Sequence, residues 1–304
     1  YDYLGWSVDI EGDVIASGAT WAAAPAERSG AVYIYRRGTK WQEEAILAPE
    51  DLPADANFGH DLDLDGTRLI VGAPYVDEVV NSQGIAYVFR DDGGSWVQEA
   101  RLAPGDLDVN FVGAAVAIAG DLAVVGSPRD NGDGVSAGSA FIYHRDVKGD
   151  WVLAARLSPD DVEPYSYFGN AIAIDGETVL VGAEFSDIVG ANAGAVFVFD
   201  GSGGNWTQSQ VLTPDDEWAW SHFGGSLDLR DDVAVVGAYG DPRAAGAAYL
   251  FRRGSDGLFT QESRLLASDG DLGERFGDAV AVGADAVVVG APFWAGQRGC
   301  GYTF

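Results

Sequence analysis

One segment, which ends in Val71-Gly72-Ala73-Pro74 in its clearest copy, returns six times along the chain, and no other feature restricts the fold as tightly. Its glycines are Gly18, Gly72, Gly126, Gly182, Gly237 and Gly290, spaced 53 to 56 residues apart in a chain of 304. A second series, Gly30, Gly84, Gly138, Gly194, Gly246 and Gly299, opens segments such as Gly84-Ile85-Ala86-Tyr87-Val88-Phe89 and keeps step with the first. Trp41, Trp96, Trp151, Trp206 and Phe259 form a third series. Leu4, Phe58, Phe111, Phe168, Phe223 and Phe276 form a fourth, built on Phe-Gly. A period of this length means one supersecondary unit repeated, each copy burying its apolar faces against its neighbours.

Each copy reads as four short strands, at 60–64, 68–71, 85–89 and 96–102 in the second repeat. Asp61-Leu62-Asp63-Leu64 alternates with the period of a strand, and β-branched and aromatic residues fill 85–89. Asp65-Gly66, Asp175-Gly176 and Glu11-Gly12 supply the left-handed glycine of tight hairpins. No segment carries a helical period. The pattern predicts an all-β chain, a β-propeller of six four-stranded antiparallel blades forming one domain. The repeats lie at about 1–57, 58–110, 111–167, 168–222, 223–275 and 276–304. The last blade lacks its Trp-bearing fourth strand: either it has three strands, or sequence outside 1–304 completes it. The start, Tyr1-Asp2-Tyr3, has neither Met nor a basic leader, which suggests a mature product or an excised piece.

Phe58-Gly59, Val71-Gly72-Ala73-Pro74 and the segment 84–89 resemble the FG-GAP repeat, the blade unit of the integrin α-subunit propeller and of many bacterial secreted and surface proteins. The resemblance covers the whole chain and implies the propeller fold, with each Phe wedged between blades. By analogy it implies adhesion. Departures are Leu4 for the first Phe, Phe111-Val112-Gly113 with a residue between, Ser127 for Ala, and Thr20, Glu184 and Tyr239 for Pro. Integrin-type repeats carry calcium in a long loop between strands one and two, and this chain has short hairpins there in all six copies.

Charge narrows the partners. Asp and Glu number 47 against 18 Lys and Arg, a formal net charge of −29, and Lys40 and Lys148 are the lysines. Nucleic acid and anionic membrane both need a positive footprint, which this chain lacks. No run is long enough to span a bilayer. A single cysteine, Cys300, excludes an intrachain disulfide and multi-cysteine metal motifs.

Candidate chemistry is sparse. Asp61, Asp63 and Asp65 open like an EF-hand loop but lack its distal Glu, and they read as exposed strand carboxylates. Asp130, Asn131 and Asp133 are the better calcium candidate, weighed against a solvated Asn-Gly turn. Asp51, Asp106, Asp161 and Asp216 recur every 55 residues after Pro49, Pro104, Pro159 and Pro214. They read as Pro-initiated turns forming an acidic collar, with Asp161 and Asp216 a second place for a cation. His60, His144 and His222 stand in different repeats without a base or a metal-ligand spacing, and no nucleophile elbow is present. No catalytic residue is assigned and no cofactor is required, with calcium left open.

Aromatics make the remaining pattern. Trp21, Tyr75, Phe185, Tyr239 and Phe293-Trp294 begin the loop between strands two and three, with Arg129 in the third repeat. Tyr165, Tyr167, Trp218, Trp220 and His222 lie in connections from strand four to the next blade, on the same face of a meander. Such a face suits a protein or glycan ligand, although the same rings could close the core. The expectation is a non-enzymatic extracellular or cell-surface binding module, with self-association or attachment to further domains open. The alternatives are a structural module of a larger adhesin or filament, or an accessory domain of a secreted enzyme.

Overall fold

The structure, a computed structural model, describes residues 2–76, 83–105, 109–160, 163–202, 204–216, 218–242, 245–294 and 298–304. Five antiparallel sheets have four strands in the order one to four, and the sixth has three. In the second blade the strands are Leu62–Asp65, Arg68–Ala73, Ile85–Asp91 and Trp96–Leu102. The expected blade plan, including the three-stranded last sheet, is therefore the observed one. The chain divides into two compact units. One is Tyr1–Gly132 with Ser139–Leu157 and holds blades 1 to 3; the other is Asp133–Gly138 with Ser158–Phe304 and holds blades 4 to 6.

Small residues allow the blades to approach one another. A Cβ at Gly72 would run into the carbonyl of Gly113 in the next blade, and one at Gly30 into the carbonyl of Phe58, with Gly30 also held at φ +90°. The backbone bridges Gly30↔Phe58 and Gly84↔Val112 in the first unit, and Gly194↔Phe223 and Gly246↔Phe276 in the second, join one blade to its successor. Phe58, Phe168, Phe223 and Phe276 are fully buried. Phe58, for example, lies 5.6 Å from Tyr87 and 6.0 Å from Phe89, edge to face.

The third repeat corrects the sequence expectation that Phe111 is a wedge. Val112 occupies that place, fully buried and bridged to Gly84, while Phe111 is half-buried with φ +64°. The glycine decides the register: Gly113 packs on the Ile85 carbonyl as Gly59 packs on that of Ala31, so the residue before it becomes the wedge whatever its identity.

Strand one also differs from its expected exposure. Because it is an edge strand, its outward amides have no ladder partner. Carboxylates of the preceding blade take that role. Asp61 Oδ2 accepts from the Val116 amide (2.8 Å), Asp63 from Ile118 (2.7 Å) and Asp9 from Leu64 (2.7 Å), and Asp65 accepts from Gly120. In the second unit Asp228 serves Val282 at 2.7 Å and Asp175 serves Asp231. These acids are half-buried bridges between blades rather than exposed strand carboxylates. Burial, reinforced by Asp9, pushes the Asp61 carboxyl up to about 6 and Asp63 well above its ordinary value.

Strand four carries a bulge at the same point in five blades, shown by the register shifts at Ile34/Tyr35, Val88/Phe89, Ile142/Tyr143, Val198/Phe199 and Leu250/Phe251. The extra residue re-aims its side chain. Glu44 thereby reaches Arg36 in its own blade and accepts from Trp96 Nε1 at 3.1 Å in the next, and Glu99 meets Arg68 at 3.1 Å and Arg145 at 2.6 Å.

Candidate functional site

The residue immediately before each Phe-Gly glycine pair has left-handed backbone: Tyr3, Asn57, Phe111, Tyr167, His222 and Arg275 lie at φ 54 to 64°. In every copy but that of Asn57, this kink stands the side chain beside the residue that opens the loop between strands two and three. In the second unit the result is a continuous ladder. Tyr167 lies 5.1 Å from Phe185, Phe185 lies 5.0 Å from His222, and His222 stacks on Tyr239 at 4.9 Å with rings 3° from parallel. The Arg275 guanidinium sits 4.1 Å from the Tyr239 ring centre and 5.6 Å from that of Phe293. In the first unit, Tyr3 meets Trp21 at 4.6 Å, while Tyr75 and Arg129 flank Phe111 at 4.8 and 4.0 Å.

Arg28 lies 5.8 Å from the ring of Trp21, which keeps about two-fifths of its surface in solvent. Tyr75 and Phe293 are exposed to a similar extent, whereas Phe185 and Tyr239 are half-buried. Trp294 packs against the cluster of Val235, Ala245, Phe276 and Val289. Most of the aromatic series is therefore interleaved with the left-handed residues instead of projecting as free rings.

Two aromatics behave differently. Tyr165 and Trp220, two residues upstream of Tyr167 and His222, are each 59% exposed and have φ of 67° and 68°. Their amides are tied to the preceding loop, Tyr165 to Val135 O and Trp220 to Ala191 O, both at 2.8 Å. Asp55 and Gly273 hold the same place in blades 2 and 6. Left-handed backbone favours Gly, Asn and Asp and penalises bulky residues, so neither ring is there for the comfort of its own turn. Trp218, 45% exposed, lies on the same turn as Trp220.

Trp220 borders a cleft of about 510 Å³ in the second unit, lined also by His222, Tyr239, Pro242, Leu272 and Arg275. Leu272 is 74% exposed at its rim. The walls are electrostatically settled. Burial lowers the His222 pKa, so the ring is neutral near pH 7, and its Nδ1 is buried without a hydrogen-bond partner. Tyr239 donates to Glu184 at 2.7 Å, and burial raises the Glu184 carboxyl. Arg275 pairs with Asp278 at 2.9 Å. Buried Asp241 pairs with Arg264 at 2.5 Å, and Arg264 also meets Asp216 at 3.4 Å. The arrangement offers flat aromatic and aliphatic surface with polar edges, which is recognition chemistry.

The calcium implied by the resemblance does not fit these residues. The hairpins between strands one and two in blades 1 to 5 have two connecting residues, and among the described residues no group of three His, Cys, Asp or Glu could hold a metal ion. Asp130 is buried, with its carboxylate bonded to Arg156 at 3.0 Å, to Ser139 and to the Gly132 amide at 3.0 Å. Asn131 and Asp133 are exposed. In the collar, Asp51 pairs with Arg101 at 3.3 Å and Asp216 accepts from Tyr249 at 3.0 Å; Asp106 and Asp161 lie outside the described residues.

Sequence reasoning missed Arg275 and Leu272. A signal for Arg275 existed, because it aligns with Tyr3, Asn57, Phe111, Tyr167 and His222 once the glycines set the register. Leu272 carries no repeat signal.

Comparison with known proteins agrees with the blade plan. The human protein integrin alpha-7 is 33% identical over 219 residues, 65% of this chain and 18% of its own length. The mouse protein of the same name is 32% identical over 190 residues, 56% of this chain and 16% of its own length, and the rat protein 35% over 161, 47% and 14%. The chain thus matches less than a fifth of each relative. The profile of the FG-GAP repeat matches six times, at residues 1–35, 41–89, 96–143, 151–199, 206–251 and 259–304, and with the glycine contacts and buried wedges described above it establishes that this chain belongs to the FG-GAP repeat family.

Proposed function

We propose that the chain is a non-enzymatic binding module of an extracellular or cell-surface protein, and that it grips a protein partner through the turns bearing Tyr165, Trp218 and Trp220 and the adjoining cleft. The exposure of Tyr165 and Trp220 on unfavourable backbone carries this reading: a ring that is neither buried nor conformationally suited to its turn is retained for what it touches. The FG-GAP membership and the likeness to integrin alpha-7 support a binding role and an extracellular setting. Among the described residues no helix is long and apolar enough to cross a membrane.

A chain of net charge −29 attracts basic partners, and an exposed indole is the best side-chain platform for a guanidinium or ammonium group. The partner segment is therefore basic, with apolar residues to meet Leu272 and Pro242.

Tyr165→Gly and Trp220→Gly test this cleanly, because glycine suits the left-handed backbone. Screened against matrix proteins and glycans, the double variant should lose at least about tenfold in affinity, as expected of truncated aromatic anchors. Its melting temperature should hold or rise. Binding unchanged alongside a lowered melt would assign both rings to packing. Retention of glycans alone would replace the protein partner, and no binding by the parent chain would favour a structural module.

A further inference from the structure

Arginines that lie over aromatic rings follow a pattern in this chain. Arg28, Arg101, Arg253, Arg264 and Arg275 stand over Trp21, Tyr87, Phe259, Tyr249 and Tyr239, 4.1 to 5.9 Å from the ring centres. Each also meets an aspartate, in turn Asp55, Asp51, Asp200, Asp241 and Asp278, at 2.5 to 3.3 Å. The ring takes a face of the guanidinium, and the carboxylate takes its N–H edge.

Arg129 departs from the pattern. Its guanidinium sits 4.0 Å from the centre of the Phe111 ring, closer than in any of those five, and among the described residues it meets no carboxylate. The adjoining acid is already engaged: Asp130 is buried and turned to Arg156, Ser139 and the Gly132 amide. Asp and Glu number 47 against 18 Lys and Arg, so an exposed arginine that stacks this closely and meets no acid runs against the composition. Arg37 also lacks an acid, but at 6.0 Å from the Trp41 ring it lies at the limit of such contact.

The third repeat builds this arrangement from its own residues and one neighbour. Val112 takes the wedge and leaves Phe111 on the left-handed kink, while arginine stands at 129, where the other copies open the loop with an aromatic. Tyr75 of the preceding blade meets the same ring at 4.8 Å, is 36% exposed, and its hydroxyl has no partner among the described residues. All three residues belong to the first unit.

We propose that Arg129, held on Phe111 beside Tyr75, is a receptor for a single carboxylate presented by a glutamate or aspartate of a partner protein. A guanidinium fixed on a ring loses little freedom on binding, and its planar fork matches both oxygens of a carboxylate. Beside it stand two rings and one phenol hydroxyl. That surface suits the methylenes of an acidic side chain, whereas an acidic sugar would bring several hydroxyls with no partner there. A net charge of −29 repels polyanions, so the acid arrives singly, in a segment otherwise neutral or basic. The site does not depend on the turns of Tyr165 and Trp220.

The test is an NMR titration of the full chain, at moderate salt to screen the long-range repulsion, with three probes: a capped tripeptide with a central glutamate, its glutamine twin, and glucuronate. The glutamate peptide should shift the Arg129 Nε–H, Tyr75 and Phe111 signals saturably, and the glutamine twin should not. Arg129→Gln should weaken the Tyr75 and Phe111 response at least about tenfold, as loss of a hydrogen bond between charged groups does. Arg129→Lys should not restore it, because lysine keeps the charge without the fork or the stack. Backbone signals away from the site should hold in both variants, since Arg129 is exposed. The absence of a saturable shift, an equal response to the glutamine twin, or full binding by Arg129→Lys would each overturn the proposal. A response to glucuronate alone would also overturn it, making the ligand an acidic sugar.

Discussion

At the residue scale, the acids on strand one show how little a side chain's type says about its use. Asp61 and Asp63 alternate with leucines as solvent-facing residues do, yet each accepts an amide from the next blade's edge strand. That placement ties stability to pH. Burial first, and Asp9 after it, raise both carboxyls in the folded chain, Asp61 to about 6 from an ordinary 3.8. A carboxyl raised by folding binds its proton more tightly in the native state, so the stabilisation is complete below about pH 4 and is lost as pH climbs through about 6. Burial raises Glu184 and Asp278 in the same sense. The melting temperature should therefore increase by a few degrees between about pH 7 and pH 5. Asp61→Asn with Asp63→Asn keeps an acceptor for the Val116 and Ile118 amides while removing the titration. This variant should melt higher than the parent at neutral pH and show a shallower slope. An unaltered slope would mean that neither acid governs the pH response.

At the scale of the blade, the wedge and its glycine do the joining. Phe168 is wholly buried, 5.5 Å from Phe197 and 6.0 Å from Phe199, so Phe168→Ala should cost about 3–5 kcal/mol in a denaturant titration. Phe111 bears the family's aromatic but lies outside the wedge, in contact with Tyr75 and Arg129, and Phe111→Ala should cost about 1 kcal/mol. Equal losses would mean that the third repeat uses its Phe as the others do. The difference between these two residues marks what the sequence could reveal. Strands, hairpins and the three-stranded last blade were legible because alternation, Gly turns and the glycine period are local signals. The Asp-to-amide bridges, the bulge that turns Glu44 toward Trp96, and the stacking of His222 on Tyr239 join residues that lie far apart in the chain or depend on left-handed backbone that residue type does not announce. For the same reason Tyr165 and Trp220 could be named as surface aromatics, but their strained turns could not, and Arg275 was hidden at a position where other copies hold Tyr, Asn, Phe or His.

At the scale of the whole molecule, charge is the dominant imbalance. The 18 Lys and Arg face 47 Asp and Glu, and many of the cations are already shared: Arg36 serves Asp13, Glu44 and Asp91, and Arg264 serves Asp216 and Asp241. Salt acts on both sides of this balance. It weakens the ion pairs, but exposed pairs are typically worth about 0–1 kcal/mol each and several here are exposed, such as Arg252 with Glu262 at 2.7 Å. It also screens repulsion among acids that have no cation to meet, a sum over many pairs that grows with the square of the net charge. Repulsion should win. The melting temperature should rise from low to moderate ionic strength, by the same amount in sodium and potassium chloride, and chelation should leave it unchanged because no described group of acids fits a metal ion. A melt that falls with salt would give the ion pairs the larger share, and a melt that collapses on chelation would show a structural cation, bringing the acidic loops back as ligands.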